Sequence, residues 1–207
     1  MEATWRLPPC RIRRRRMKQT LSDKKVAILV ADGFEQVELT EPKKALEQAG
    51  AVAHIVSPNK GQVKGWNHTE WGDVFPVDVV LDQADPDDYD ALLLPGGVMN
   101  PDKLRRNERV LQFVRAFFDS DKPVAAICHG PWTLIDAAVV KGRRLTSYES
   151  IQTDLKNAGA DWVDEKVVVD QGLVTSRKPD DIPVFNRKMI EEFAGSGRRS
   201  KAMEQKG

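Results

Sequence analysis

Cysteine is almost absent from this sequence: Cys10 and Cys128 are the two among 207 residues. One lies near the N-terminus and the other deep in the chain. They make no disulfide framework, and no C-x-x-C spacing marks a metal site. That scarcity fits a reducing, intracellular setting. Histidine is nearly as rare, with only His54, His68 and His129. Long hydrophobic runs are missing too. The longest early one, residues 26–31, follows Asp23, Lys24 and Lys25 and is too short for a signal-peptide core or a membrane span. These absences lead us to expect a cytoplasmic protein with no membrane partner, no metal and no cofactor.

Net charge is also small, at +1, from 32 Lys and Arg against 31 Asp and Glu. The balance hides a segregation. Residues 1–16 hold six arginines against Glu2, for +5, and residues 195–207 carry +3, which leaves −7 for residues 17–194. An acidic body argues against nucleic-acid binding by the folded part. Nucleic acid is then expected only through the basic ends, or as a substrate under repair. The extension 1–16 has no periodicity, contains Pro8-Pro9 and reads as disordered. Either translation starts at Met17 and the extension lies upstream of it, or the extension is a basic arm. We expect a single domain over 17–194, then a basic, flexible tail over 195–207.

Hydrophobic residues make up 41% of the chain, enough to build a core. Val26–Val30 is a continuous apolar run, as in a parallel strand buried on both faces. Residues 37–49 have a helical apolar pattern stopped by Gly50, with Pro42 inside. Further strands are expected at Val52–Val56, Val77–Leu81, Ala91–Leu94 and Pro123–Ile127. Residues 60–73 read as a hairpin or loop. Helices are expected over 105–119, 131–140 and 150–158 and from Ile182 to Phe193, the last capped by Asp180. Val163–Val169 and Leu173–Ser176 bracket a tight turn and read as a hairpin. This order predicts an open α/β sheet with helices on both faces.

Sites in such sheets lie beyond the carboxyl ends of strands. Three ends carry unusual residues: Asp32 to Glu38, Pro95-Gly96-Gly97 and Cys128-His129-Gly130-Pro131. Cys128 falls where its strand must turn, and Pro131 opens the next helix. That is the geometry of a nucleophile elbow with cysteine in place of serine. A thiol at a helix N-terminus is expected to have a depressed pKa. A buried, inert cysteine is the other reading of the same pattern. Gly96 and Gly97 allow close backbone approach and could offer N–H groups to an oxyanion, or simply make a tight turn. Glu35 and Glu38 share one helix face. Either could hold a proton for the thiol, or answer the helix dipole. His68 lies in a Trp-flanked loop that could line a pocket, and His54 reads as structural.

No histidine follows His129. That excludes a class I glutamine amidotransferase triad and the α/β-hydrolase order of nucleophile, acid and histidine.

The segments Ala126 to Pro131, Leu94 to Gly97 and Asp32 to Glu38 together resemble the ThiJ/PfpI family. Gly142 to Tyr148, Asn157 to Ala160 and Val167 to Asp170 match as well. The resemblance covers about residues 24–194 and is strongest to the PfpI-type intracellular protease branch, which includes general stress proteins. It implies a flavodoxin-like three-layer α/β sandwich within the class I glutamine amidotransferase-like superfamily. It implies Cys128 as nucleophile, Glu38 as the acid on its sulfur, and backbone N–H groups of Gly97 and His129 as an oxyanion hole. It also implies a triad of Cys128 and His129 with an acid from a neighbouring subunit, at the position of Asp102. The archetype has Glu there, one methylene longer. Glu35, Gly96, His68 and Trp132 are pocket candidates.

Three functions are then open. One is a stress-response hydrolase or lyase acting on reactive carbonyls or glycated adducts, of the deglycase or glyoxalase III type. The second is an oligomeric cysteine peptidase, as a homodimer or hexamer, acting on peptides. The third is a non-catalytic redox sensor that oxidises at Cys128.

Overall fold

The computed structural model describes residues 20–204, with side chains through residue 195. The extension 1–16, with Cys10 and the two readings of it, lies outside the described residues, as do residues 205–207.

The chain opens with β1 (Lys25–Leu29), the buried run seen in the sequence. A turn leads to β2 (Phe34–Glu35) and α1 (Gln36–Gln48), which tolerates Pro42 in its interior. Next come β3 (Val52–Ser57), the hairpin of β4 (Gln62–Asn67) and β5 (Glu70–Pro76), and the two-residue β6 (Val79–Val80). β7 (Ala91–Leu94) leads to α2 (Met99–Leu104) and α3 (Glu108–Asp119). β8 (Val124–Ile127) ends at Cys128 and is followed by α4 (Pro131–Asp136). The rest is β9 (Arg144–Leu145), α5 (Gln152–Asn157), β10 (Asp161–Trp162), β11 (Val167–Asp170), β12 (Leu173–Ser176) and α6 (Ile182–Glu204).

Seven strands form the main sheet in the order β11-β12-β8-β7-β1-β3-β6. All neighbours are parallel except β11 and β12. Successive residues of each strand face opposite layers. Ala27, Leu29, Leu92, Leu94 and Ala126 pack with α3, α4 and α5. Val26, Ile28, Leu93, Ala125 and Ile127 pack with α1 and α6. Both faces are covered, so the strands read as unbroken apolar runs. Phe113 and Phe117 fill one layer and Phe185 and Phe193 the other, each fully buried and worth roughly 1.5–3 kcal/mol by area. This is the expected flavodoxin-like sandwich, with a small second sheet, β2-β4-β5, standing over the carboxyl end of β1.

The differences from expectation are local. The helix expected over 105–119 starts only at Glu108, because the Asn107 side chain accepts from the N–H groups of Arg109 and Val110 and caps the start of α3; the short α2 ahead of it lies before the expected range. The strand expected over 77–81 is only two residues long, since the Asp78 carboxylate takes the Ile55 N–H. α4 stops at Asp136, where the chain turns through a left-handed Ala138 (φ 59°). The strand expected from Val163 starts at Val167. Asp180 is not a helix cap; it lies within the 3-10 turn Pro179–Asp181 that precedes α6. α6 runs on through residues 195–204. No helix among the described residues is long and apolar enough to cross a membrane.

Candidate active site

Cys128 sits at the tip of β8 with φ 62°, a left-handed conformation that non-glycine residues rarely adopt. The strain is on the cysteine itself, since Gly130 is right-handed at φ −49°. Neighbouring backbone holds the turn. The Cys128 N–H donates to Ser176 O on β12 at 3.0 Å, and its carbonyl accepts from Tyr148 N–H at 2.9 Å. Two long-range bonds therefore fix a conformation that the local sequence disfavours.

Glu38 reaches the thiol from the first turn of α1. It is fully buried, and its Oε2 accepts the Gly96 N–H at 2.8 Å. The carboxyl also interacts with the thiol. Its other oxygen, Oε1, is buried without a well-aligned partner, and a proton placed there and aimed at Sγ would satisfy it. Burial pushes the Glu38 pKa up to about 8, against the opposing pull of the Gly96 N–H and the thiol. At neutral pH this acid is therefore protonated and able to donate.

The two glycines after β7 make that approach possible. A Cβ on Gly96 would lie 2.5 Å from Glu38 Oε2 and 2.7 Å from the Cys128 Cβ. One on Gly97 would lie 2.5 Å from Gly33 O, and Gly97 also has φ +77°. The buried Asn100 side chain pins this turn. It donates to the carbonyls of Pro95 and Gly96 and accepts the Ala31 N–H at the end of β1. The sequence gives no sign of this role for Asn100, because an asparagine early in a short helix has no local signature.

The expected depressed thiol pKa is not found. Burial, and then the adjacent Glu38, push the Cys128 thiol well above its ordinary range. The backbone N–H groups of Gly97 and His129 pull the other way by hydrogen-bonding the sulfur. α4 is a single short helix of six residues, and desolvation outweighs its dipole.

The His129 ring lies beside the sulfur, with Nδ1 3.2 Å from Sγ. Its Nε2 is 2.9 Å from Ser150 Oγ. The ring stacks on Tyr148, with centroids 4.8 Å apart and planes at 25°. It is 8% exposed, and burial lowers its pKa. At neutral pH the imidazole is uncharged and can accept a proton.

These groups lie at one end of a cavity of about 770 Å³. Glu35, Trp66, His68, Met99 and Tyr148 also line it, while Lys and Arg do not. His68 is an exposed rim residue, 3.9 Å from the Glu35 carboxylate. Gly96 lies behind the wall, where it serves Glu38. Trp132 does not line the cavity. Its ring packs under the Arg105 guanidinium at 4.7 Å, and its indole N–H donates to Asp154. Asp102 is exposed on α2, outside the cavity lining. His54 packs edge-on against Tyr89, in the expected structural role. In the sequence Ser150 marks only a helix start and Tyr148 only the end of a matching segment. Nothing local announces that the chain folds back onto His129. No group of three or more metal-binding side chains occurs among the described residues.

General stress protein 18 of Bacillus subtilis (strain 168) is 48% identical over 169 residues, covering 81% of this chain and 96% of that protein. YraA of the same strain, which bears a provisional cysteine-protease name, is 45% identical over 167 residues, covering 81% and 96%. Deglycase TK1284 of Thermococcus kodakarensis is 43% identical over 167 residues, covering 81% and 98%. The crystal structure of Drosophila melanogaster DJ-1beta superposes with a TM-score of 0.76 at 30% identity, covering 87% of this chain and 97% of that one. A family match spans residues 24–192, which takes in the acid on α1, the Gly-Gly turn and the cysteine elbow. With fold and sequence held in common over that span, the chain belongs to the DJ-1/PfpI family.

Proposed function

We propose that this protein is a cysteine-dependent enzyme that removes reactive-carbonyl adducts from amines, as a deglycase does. The observation that carries the reading is the position of Cys128 Sγ between a protonated carboxyl and a neutral imidazole at the base of an accessible cavity. In the first step the thiol proton passes to His129 Nδ1. The sulfur pair forms a bond to the carbonyl carbon of the substrate, and the π pair moves onto oxygen. The N–H groups of Gly97 and His129, aimed at the sulfur in the resting site, are placed to receive that developing charge. Glu38 then gives its proton to the amine nitrogen as the C–N bond breaks, the carbinol hydroxyl becoming a carbonyl and returning a proton to Glu38. The C–S bond breaks to free the dicarbonyl while His129 returns its proton to the sulfur. A cavity lined by Glu35 and Trp66 and by no cation suits neutral or cationic substrate groups, such as an adducted lysine or arginine. The name of the Thermococcus relative agrees with this activity.

The peptidase reading rests on the protease name of YraA and on the exposure of Asp102, which leaves it available to a second copy of the chain. Against it, His129 Nε2 already has a partner within its own chain. The test is to assay wild type and Cys128→Ala side by side on methylglyoxal-modified N-acetyl-lysine and N-acetyl-arginine, free methylglyoxal and peptides. Release of the free amino acids by wild type only is the expected result. Equal release by the variant refutes a thiol mechanism, and cleavage of peptides alone favours the peptidase.

A further inference from the structure

We propose that Ser150 is the positioning residue that makes His129 a base toward Cys128, within a single copy of the chain. The proposal rests on the reading of Cys128 as the nucleophile and assigns the third member of its relay.

Both ring nitrogens of His129 are engaged, Nδ1 by the thiol at 3.2 Å and Nε2 by the Ser150 hydroxyl at 2.9 Å. A neutral imidazole has one N–H and one lone pair. Only the tautomer with hydrogen on Nε2 leaves the Nδ1 lone pair facing the S–H. In that tautomer the Ser150 oxygen accepts. Once the thiol proton reaches Nδ1, both nitrogens carry hydrogen, with the thiolate accepting at one end and Ser150 at the other. The serine thus matches the state before transfer and the state after it.

The placement of Ser150 is coupled to the nucleophile. It lies in the 3-10 turn Glu149–Ile151, directly after Tyr148. Tyr148 stacks on the imidazole and donates its backbone N–H to the Cys128 carbonyl. One short segment therefore sets the ring plane, holds the strained elbow and supplies the Nε2 partner. Other titratable or charged groups face this region from several elements. Glu35 comes from the end of β2, Glu38 from the first turn of α1, and His68 from the β4–β5 hairpin. Glu149, Asp164, Arg177 and Lys178 lie in a cleft beyond Tyr148, Arg105 pairs with Asp136 and covers Trp132, and Asp154 accepts from the Trp132 indole. None of these is bonded to Nε2.

The test reads the thiol directly, with no substrate needed. Wild type, Ser150→Ala, Ser150→Thr and Asp102→Asn are alkylated with iodoacetamide from pH 5 to 9. Modification of Cys128 is followed by peptide mass spectrometry, and folding by circular dichroism. Loss of a hydrogen bond to a charged group is expected to slow Ser150→Ala about tenfold near pH 7 and move the rise of its pH profile. Ser150→Thr, which keeps the hydroxyl, should recover to within about threefold. A wild-type rate and profile in folded Ser150→Ala overturns the proposal, as does an equal defect in Ser150→Thr. A tenfold loss confined to Asp102→Asn also overturns it and places the third group on a neighbouring copy. If the alkylation results are as expected but no glycated substrate is turned over, the relay stands and the deglycase reading fails.

Discussion

Replacing Glu38 with glutamine should flatten the pH dependence of stability. The carboxyl has an ordinary value of 4.5 and is held at about 8 in the fold. Below pH 4.5 the group is protonated in both folded and unfolded chains and contributes no difference. Between pH 4.5 and 8 the unfolded chain releases this proton while the folded chain keeps it. The unfolded state then binds fewer protons, so stability falls as pH rises. At about 1.4 kcal/mol per pH unit, the loss reaches about 3 kcal/mol by pH 7 and about 4–5 kcal/mol by pH 8. Glutamine has nearly the same shape. It can accept the Gly96 N–H through its oxygen and donate to Sγ through its nitrogen, and it does not titrate. Glu38→Gln should therefore match wild type near pH 4.5 and exceed it increasingly toward pH 8. At pH 7 the difference corresponds to roughly 6–12 °C in Tm for a chain of this size. Urea unfolding of both proteins at several pH values measures it. The same variant cannot ferry a proton, so its turnover on a glycated substrate should drop about 100-fold or more. Parallel stability curves for the two proteins from pH 4.5 to 8 would refute the raised pKa and, with it, the protonated acid in the mechanism.

Two further outcomes follow from the same geometry. Gly96→Ala forces a methyl group against Glu38 Oε2 and the Cys128 Cβ. It should cost roughly 1–3 kcal/mol in thermal or urea unfolding and disable Cys128 alkylation, whereas loss of stability with normal thiol reactivity would show that the close approach does not matter to the site. If His129 is served within its own chain, Asp102→Asn should turn over substrate within about twofold of wild type, the scale of a surface change. Gel filtration of the same samples shows whether any loss follows the oligomeric state.

Much of the fold was legible because it is written in short-range patterns. Val26–Val30, Ala91–Leu94 and Val124–Ile127 announce strands covered on both faces, since a parallel sheet leaves no residue for water. The elbow was legible as a thiol placed where a strand must end, and Glu38 and the Gly-Gly turn as neighbours at the same sheet edge. Boundaries set by side-chain competition were not legible. Asn107 set the start of one expected helix three residues late by capping it, and the Asp78 carboxylate shortened a strand by taking a backbone N–H. Trp132 follows the elbow directly yet faces Arg105 and Asp154 rather than the cavity, because its partners come from other helices.

By itself the sequence determined the sheet and the place of Cys128 at a strand end, since each depends on periodicity or on residues adjacent in the chain, whereas Glu38 as the acid on its sulfur came only from the family resemblance. The tertiary structure decided the chemical state of those groups. Burial raises Glu38 and Cys128 and keeps His129 neutral, and desolvation is a property of what surrounds a group rather than of its neighbours in sequence. It also brought Ser150 to His129 across 21 positions. Only the fold sets how that segment returns to the elbow, because the contact depends on where β8 and the turn after β9 stand relative to each other.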